Sequence, residues 1–382
     1  MTVAARSAEK PSEKLRVMRT PKSVDIDITD RCNLRCKYCY FYASPADVKQ
    51  DLPLEEWLLF FEELKRCAVT EVCLAGGEPF IREDLPDLIR GIVRNRMRFS
   101  LLSNGTLITD ELAALLASTG RCNYVQVSID GSIPITHESF RGQGTFTQAV
   151  EGIRTLQRNS VPAAVRVTIH RQNVRDLENI ARLLLEEIGL PSFSTNSAGY
   201  LGLCQKNTEQ VQLSTAERHL AMNALLGLDR KYGDRISAQA GPLAEGKAWL
   251  EMEKARREGR ASLPDCGRLT GCGCPFSKIA VRSDGVIVPC NMLSHIELGR
   301  INRDDLQDIW QNHAELWKIR ERRSKPLADF EFCRGCAYLN YCTGNCPALA
   351  YSLLGQVDHP SPDACLRKYL EEGGELPEEL PD

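Results

Sequence analysis

The sequence predicts an α/β protein built on a mostly parallel sheet, followed by a cysteine-rich extension. Three observations carry this. From about residue 23 to 200, short β-branched or apolar runs alternate with amphipathic stretches six times over. Several of those runs are continuously apolar, as parallel strands covered on both faces should be. Cysteine, sixteen in all, gathers around residue 35 and again from Cys266 onward.

Taken in order, the first 22 residues are polar and mix both charges (Arg6, Glu9, Lys10, Glu13, Lys14). They hold no apolar core for a signal peptide and are expected to form a mobile tail. Strands are expected at Val24–Thr29, Glu71–Ala75, Arg98–Ser103, Tyr124–Ile129, Ala164–Ile169 and Ser192–Asn196. Helices are expected at Leu54–Arg66, Glu83–Asn95, Asp110–Ala117, Phe146–Arg158 and Val174–Glu187. In the last of these, Leu177, Ile180, Leu183 and Leu184 recur at helical spacing. Six β/α units in a row fit either a doubly wound sheet or a barrel, and spacing does not choose between them. Residues 211–265 read as a helical connector with helices at Leu213–Gly233 and Leu243–Gly259. Residues 266–370 are rich in Cys and Gly and need a staple other than a hydrophobic core. Residues 371–382 form an acidic, solvated end.

Composition narrows the function. The net charge of −3 gives no electrostatic basis for a nucleic-acid partner. No apolar run approaches the roughly 18 residues of a membrane span, and a cytoplasmic protein is expected. Sixteen cysteines without a secretory signal point to metal or redox chemistry rather than disulfides. Cys67, Cys73, Cys122 and Cys204 lie outside the clusters and are expected to pack as small apolar side chains.

The first cluster, Cys32-x3-Cys36-x2-Cys39, follows directly on the first strand. Three thiolates on one tight loop can ligate three irons of a [4Fe–4S] cube and leave the fourth open to chelate a small molecule. Structural zinc would want a fourth ligand, and no Cys or His stands nearby; the next histidine is His137. Further segments follow later strands, where parallel α/β folds bind ligands. They are Gly76-Gly77-Glu78-Pro79, Ser103-Asn104-Gly105-Thr106 and Ser128-Ile129-Asp130-Gly131. The glycines permit close backbone approach, and the Glu78 carboxylate could meet an ammonium. Arg166 is a charge on a central strand and needs a partner, for which a bound carboxylate is one candidate.

The cysteine spacing with Tyr38 before the last cysteine, together with Gly76-Gly77-Glu78-Pro79, resembles the radical S-adenosylmethionine (SAM) superfamily. The resemblance covers residues 23 to about 200 and implies a partial (β/α)6 TIM-like barrel. It implies that the open iron binds the amino and carboxylate groups of SAM. By position, Gly76, Gly77 and Glu78 would face the amino group, Arg166 the carboxylate, and Ser103 and Ser128 the ribose. Asp130 belongs to the same cofactor set, and the Tyr38 backbone would sit at the adenine.

The second array reads Cys272-Gly273-Cys274, then Cys290, then Cys333-x2-Cys336-x5-Cys342-x3-Cys346, and finally Cys365. Zinc held by four cysteines also uses two-residue gaps, and spacing does not exclude it. The arrangement resembles the SPASM extension of radical SAM enzymes, a small Cys-rich domain with two auxiliary [4Fe–4S] clusters. Carried over, that pattern puts Cys333, Cys336, Cys342 and Cys365 on one cluster. Cys290 and Cys346 go to the other, with Cys272 and Cys274 the nearest remaining ligands. Cys266 is one candidate more than a simple assignment needs, so the first auxiliary site is either fully ligated or keeps an open iron.

The resemblance implies a 5′-deoxyadenosyl radical acting on a ribosomally made precursor peptide. With too few residues before the first strand for a folded domain, a separate small leader-binding protein is expected, along with a flavodoxin- or ferredoxin-type electron donor. The whole chain is similar to SPASM proteins of SynChlorMet peptide cassettes. The specific expectation is a splicease that excises tyramine from a tyrosine and leaves an α-keto-β-amino acid. Cross-linking, epimerisation and formylglycine formation of the sulfatase-maturing kind use the same architecture, and a zinc scaffold is the non-enzymatic alternative. No acid or base is assigned. Tyr200, Cys204, His295 and His170 are possible cavity groups that read first as packing. Trp310 and Trp317, seven apart, read as anchors on one helix.

Overall fold

A computed structural model describes residues 15–378. Most of the expected N-terminal tail and the last four residues lie outside the described residues. β1 (Ser23–Thr29) opens the fold. Its strict alternation sends Val24, Ile26 and Ile28 into the core beside Trp57, Phe60 and Leu64 of α1 (Leu54–Arg66). The same period turns Asp25 and Asp27 to the opposite face, the interior of the barrel.

The repeating units follow: β2 (Glu71–Gly76), α2 (Leu85–Arg94), β3 (Arg98–Ser103), α3 (Asp110–Ser118) and β4 (Cys122–Ser128). Next come α4 (Pro134–Arg141), α5 (Thr145–Arg158), β5 (Ala163–Ile169), α6 (Leu177–Arg182) and β6 (Phe193–Ser197). All six strands pair in parallel and in sequence order. Their helices cover the outer face, which is the partial barrel the resemblance implied. The sequence did not show α4, an eight-residue helix started by Pro134 at its first position and ended by Gly142 at φ +113°. The helix expected over Val174–Glu187 is α6 followed by a π-helical turn at Leu183–Glu187.

Two short helices, α7 (Gly202–Lys206) and α8 (Thr208–Val211), lead to the connector. It holds α9 (Thr215–Tyr232), opened by a Ser214–Glu217 capping box, and α10 (Pro242–Arg257). It is not wholly helical, because β7 (Ile236–Ala238) adds a seventh parallel strand beside β6.

The cysteine-rich segment is woven into the same sheet. After α11 (Cys274–Ser277), β8 (Lys278–Val281) pairs in parallel with β1 on the side away from β2. β9 (Val286–Val288) and β10 (Gly299–Arg300) continue antiparallel, giving the order β10-β9-β8-β1-β2-β3-β4-β5-β6-β7. The segment therefore shares a sheet, and a large part of its core, with the barrel. α12 (Leu306–Asn312), α13 (Ala314–Glu321), α14 (Pro347–Leu354) and α15 (Leu366–Glu371) complete it. Arg218 of α9 bonds Glu245 and Asp363, each at 2.9 Å, tying connector to C-terminal domain.

Trp310 and Trp317 do not share one helix: extended His313 (ψ 123°) divides α12 from α13. The Arg320 guanidinium lies 4.5 Å over one indole and 5.1 Å from the other. Trp310 is fully buried and its Nε1 donates to Met18 O at 2.8 Å. Trp310→Ala is expected to destabilise the protein by about 3–5 kcal/mol, seen as a large drop in its thermal midpoint.

Candidate functional site

The loop after β1 carries Cys32, Cys36 and Cys39 at the carboxyl end of the barrel. The thiols sit close enough that Cys39 acts electrostatically on Cys32, and Cys32 and Cys39 both act on Cys36. Each sulfur faces an N–H group: Leu34 N at 3.4 Å from Cys32 Sγ, Tyr42 N at 3.3 Å from Cys39 Sγ, and Arg141 Nη1 at 4.0 Å from Cys36 Sγ. Asn104 Nδ2 lies 4.0 Å from Cys32 Sγ. Among the described residues no three His, Cys, Asp or Glu side chains converge on one point as a single ion would require. Thiolates that bind separate irons of a cube need not converge in that way.

The glycine stretch is fitted against this loop. Gly77 N donates to Thr29 O at 2.8 Å and Glu78 N to Arg31 O at 2.9 Å. A Cβ on Gly76 would stand 2.3 Å from Thr29 O, and one on Gly77 would stand 2.1 Å from Arg31 O. Gly76 also has φ +122°, open to glycine alone in practice.

The side chains expected around the cofactor divide into two groups. Glu78 is fully buried, and its carboxylate accepts from Asn104 N (2.7 Å), Ser103 Oγ (2.8 Å) and Phe80 N (3.2 Å). Burial pushes it up to about 7 against those bonds. These three bonds fill three of the about four lone-pair sites of a carboxylate and brace Glu78 within the protein. Ser103 is similarly engaged, donating to Glu78 and accepting from Gly105 N at 2.9 Å. Asp130 is also sealed in: it accepts from Arg141 Nε, the Tyr38 hydroxyl and Thr168 N. Burial would raise it, but Arg141 and the two histidines His170 and His137 hold it below the ordinary carboxylate value. Ser128 and Arg166, register partners on β4 and β5, are only partly buried. Arg166 donates to Ser194 at 3.3 Å and acts electrostatically on Asp25 across the barrel interior.

In the C-terminal domain Cys272 and Cys274 interact directly, while Cys346 acts on Cys272 and on Cys290, and Cys274 acts on Cys290. Cys333, Cys336, Cys342 and Cys365 form the other mutually interacting set. Cys266 feels Glu251 and Asp265 rather than either set. His170 is buried in a cluster with Phe140 (3.8 Å) and Tyr38 (5.9 Å), and Tyr200 and Cys204 are buried as packing groups.

A cavity of about 350 Å³ lies between the first cysteine loop and the turn after Cys290. Tyr40, Phe41, Tyr42 and Tyr351 supply aromatic walls, His295 stacks on Tyr351 at 3.8 Å, and Asp27, Asp30 and Asp47 face inward. Its cations Lys49 and Arg282 both pair with Asp284. Asp27 is 2% exposed; Asn291 Nδ2 donates to its Oδ2 at 2.8 Å, and its Oδ1 has no partner. The sequence reading did not single out Asp27 or Asn291. The signal was there, in two acids alternating with aliphatics on a strand that must be buried on both faces.

The profile of the radical SAM superfamily matches residues 26–184, and that of an iron–sulfur cluster-binding domain, SPASM, matches residues 272–337. The Fe-coproporphyrin III synthase of Methanosarcina barkeri is 30% identical over 376 residues, 95% of this chain and 92% of that one. The chain belongs to the radical SAM superfamily. It is a radical SAM/SPASM enzyme whose cofactors are SAM and [4Fe–4S] clusters. The PqqA peptide cyclase of Granulibacter bethesdensis is 25% identical, covering 91% of this chain and 87% of its own. Streptococcus suis SuiB, solved with its precursor peptide SuiA, shares the fold at TM-score 0.69 and 16% identity, over 92% of this chain and 77% of that one. No helix among the described residues is long and apolar enough to cross a membrane.

Proposed function

We propose that this radical SAM/SPASM enzyme modifies a ribosomally made peptide, and that the modification is excision of tyramine from a tyrosine to leave an α-keto-β-amino acid. Bound at Cys32, Cys36 and Cys39, the cluster and SAM supply a 5′-deoxyadenosyl radical that takes hydrogen from an unactivated carbon. Backbone of Gly76–Glu78, the Arg166 guanidinium, Ser128 and the Tyr38 backbone hold SAM. Cys272, Cys274, Cys290 and Cys346 hold one auxiliary cluster with every iron ligated, and Cys333, Cys336, Cys342 and Cys365 hold the other. Cys266 holds neither.

The charge of the cavity carries the choice of substrate. A second reading, a tetrapyrrole, draws support from the identity with the Fe-coproporphyrin III synthase. Coproporphyrins carry several carboxylates. Here three aspartates line the cavity, and its two cations are already paired with the two carboxylates of Asp284 and Glu297. A polyanion would be repelled and left without partners. A neutral aromatic side chain with its flanking peptide N–H groups meets ring walls and carboxylate acceptors instead. A small leader-binding protein and a flavodoxin- or ferredoxin-type donor complete the system.

The test is an anaerobic incubation with SAM, reductant and the precursor peptides encoded beside the gene, with and without the neighbouring small protein, against coproporphyrin III in parallel. The expected result is a peptide lighter by one tyramine unit, formed only when the small protein is present. An unchanged peptide mass with epimerised residues, or loss of hydrogen alone, would replace splicing by another peptide modification. Turnover of coproporphyrin and of no peptide would overturn the substrate class.

A further inference from the structure

Arg141 is one of the least exposed charges in the barrel, and the function so far does not use it. It closes α4, the helix the sequence did not reveal. Its two ends face different groups. Nε bonds Asp130, whose same oxygen also accepts from the Tyr38 hydroxyl of the cysteine loop, and Nη1 reaches toward Cys36 Sγ at 4.0 Å. Cys32 and Cys39 receive backbone N–H groups, which carry partial charge. Among the described residues, the donor facing Cys36 carries a full positive charge.

We propose that Arg141 sets the reduction potential of the barrel cluster by presenting a buried guanidinium to the Cys36 thiolate. Adding an electron to the cluster adds negative charge beside that cation, so the cation favours the reduced form. Arg141 is buried, at 6% exposure, and Cys36 is partly buried, and away from bulk water charge interactions are less screened. Asp130 opposes the effect at Cys36 but acts on it less than Arg141 does, and its charge is shared with the Tyr38 hydroxyl and Thr168 N. Burial works against the guanidinium charge, but Asp130, Tyr38 and Cys36 hold it protonated. The guanidinium also lies 5.2 Å from the Tyr38 ring, so one side chain couples cluster charge to the residue flanking the SAM site. Arg141 is a positioning and tuning residue, acting through the cluster ligand rather than on substrate.

The experiment is an EPR-monitored redox titration of the iron-loaded full chain. The barrel cluster is identified as the signal that changes when SAM is added. Arg141→Met is expected to disfavour reduction at least tenfold, a shift of about 59 mV to more negative potential for one electron. Arg141→Lys, which keeps a cation, is expected to recover at least half of it, which a merely structural role would not predict. Should Arg141→Met fail to load iron, Arg141→Gln combined with Asp130→Asn removes both buried charges without leaving either alone, and a smaller shift in the same direction is expected. A midpoint unchanged in a loaded variant overturns the proposal. The inference rests on the cluster being held by Cys32, Cys36 and Cys39. If the wild-type protein shows no SAM-sensitive signal, that assignment fails; a signal present with unchanged midpoint is the failure of Arg141 alone. Neither outcome depends on the substrate class.

Discussion

Gly77→Ala is expected to abolish SAM cleavage and to strip the barrel cluster, although it adds one methyl group and touches no cysteine. The new Cβ would stand 2.1 Å from Arg31 O and 2.9 Å from Asp30 O. Both are backbone atoms, so no rotamer change relieves the overlap. Either the Gly77–Glu78 backbone leaves its bonds to Thr29 O and Arg31 O, or the segment leading into Cys32 moves. Displacing that segment separates the thiolate loop from the cradle, and overpacking of this kind costs about 1–3 kcal/mol or more. Reactions that need near-contact geometry lose about 100-fold for a displacement near 1 Å. The expected measurement is a loss of about one cluster's worth of iron, those of the C-terminal domain remaining, and a fall in 5′-deoxyadenosine formation of at least 100-fold. Full iron and normal cleavage would show that the close approach is not required.

The reach of the sequence differs from element to element for physical reasons. β1–β6 were legible because short runs with buried apolar or β-branched residues alternate with helical stretches, and the three-cysteine loop was legible because ligand spacing is local. α4 was hidden: eight residues, with polar Thr136, His137, Glu138 and Ser139 at its centre, show no helical stripe, and the helix owes its place to Asp130 and the stack of Phe140 on His170. For the same reason Arg141 was not singled out. Pairing of β8 with β1 was equally out of reach, because strand order is set by long-range closure of the sheet rather than by either strand's own residues. Glu78, Ser103 and Asp130 show the complementary effect. The sequence placed them at strand ends near the ligand, but only packing reveals the hydrogen bonds that hold each of them within the protein.

Asp27 shows what remains once those committed groups are set aside, and its replacement should have the largest effect on product. Its Oδ2 accepts from Asn291, its Oδ1 is unpartnered, and it lines the cavity. Burial pushes it up to about 7; Asn291 pulls it down, and Asp25 and Asp30 push it further up. Tyr40, also on the cavity wall, feels the Asp27 charge from the other side. An ionised Oδ1 accepts a hydrogen bond or a proton from a substrate N–H or O–H, and Asn291 favours that ionised form. The folded value lies above the ordinary carboxylate value, so Asp27 is neutral below about pH 7 and becomes an acceptor above it. Product formation should therefore rise with pH through about 7. Asp27→Asn keeps the shape and the bond to Asn291 in altered polarity but cannot ionise. It is expected to retain wild-type iron and to consume SAM while product falls about 100-fold or more, the scale of a lost acid–base group. The inflection near 7 should vanish with it. Undiminished product from Asp27→Asn, or the same inflection persisting in it, would assign the unpartnered oxygen to structure and move the acid–base role to another group on the cavity wall, with His295 the first to examine.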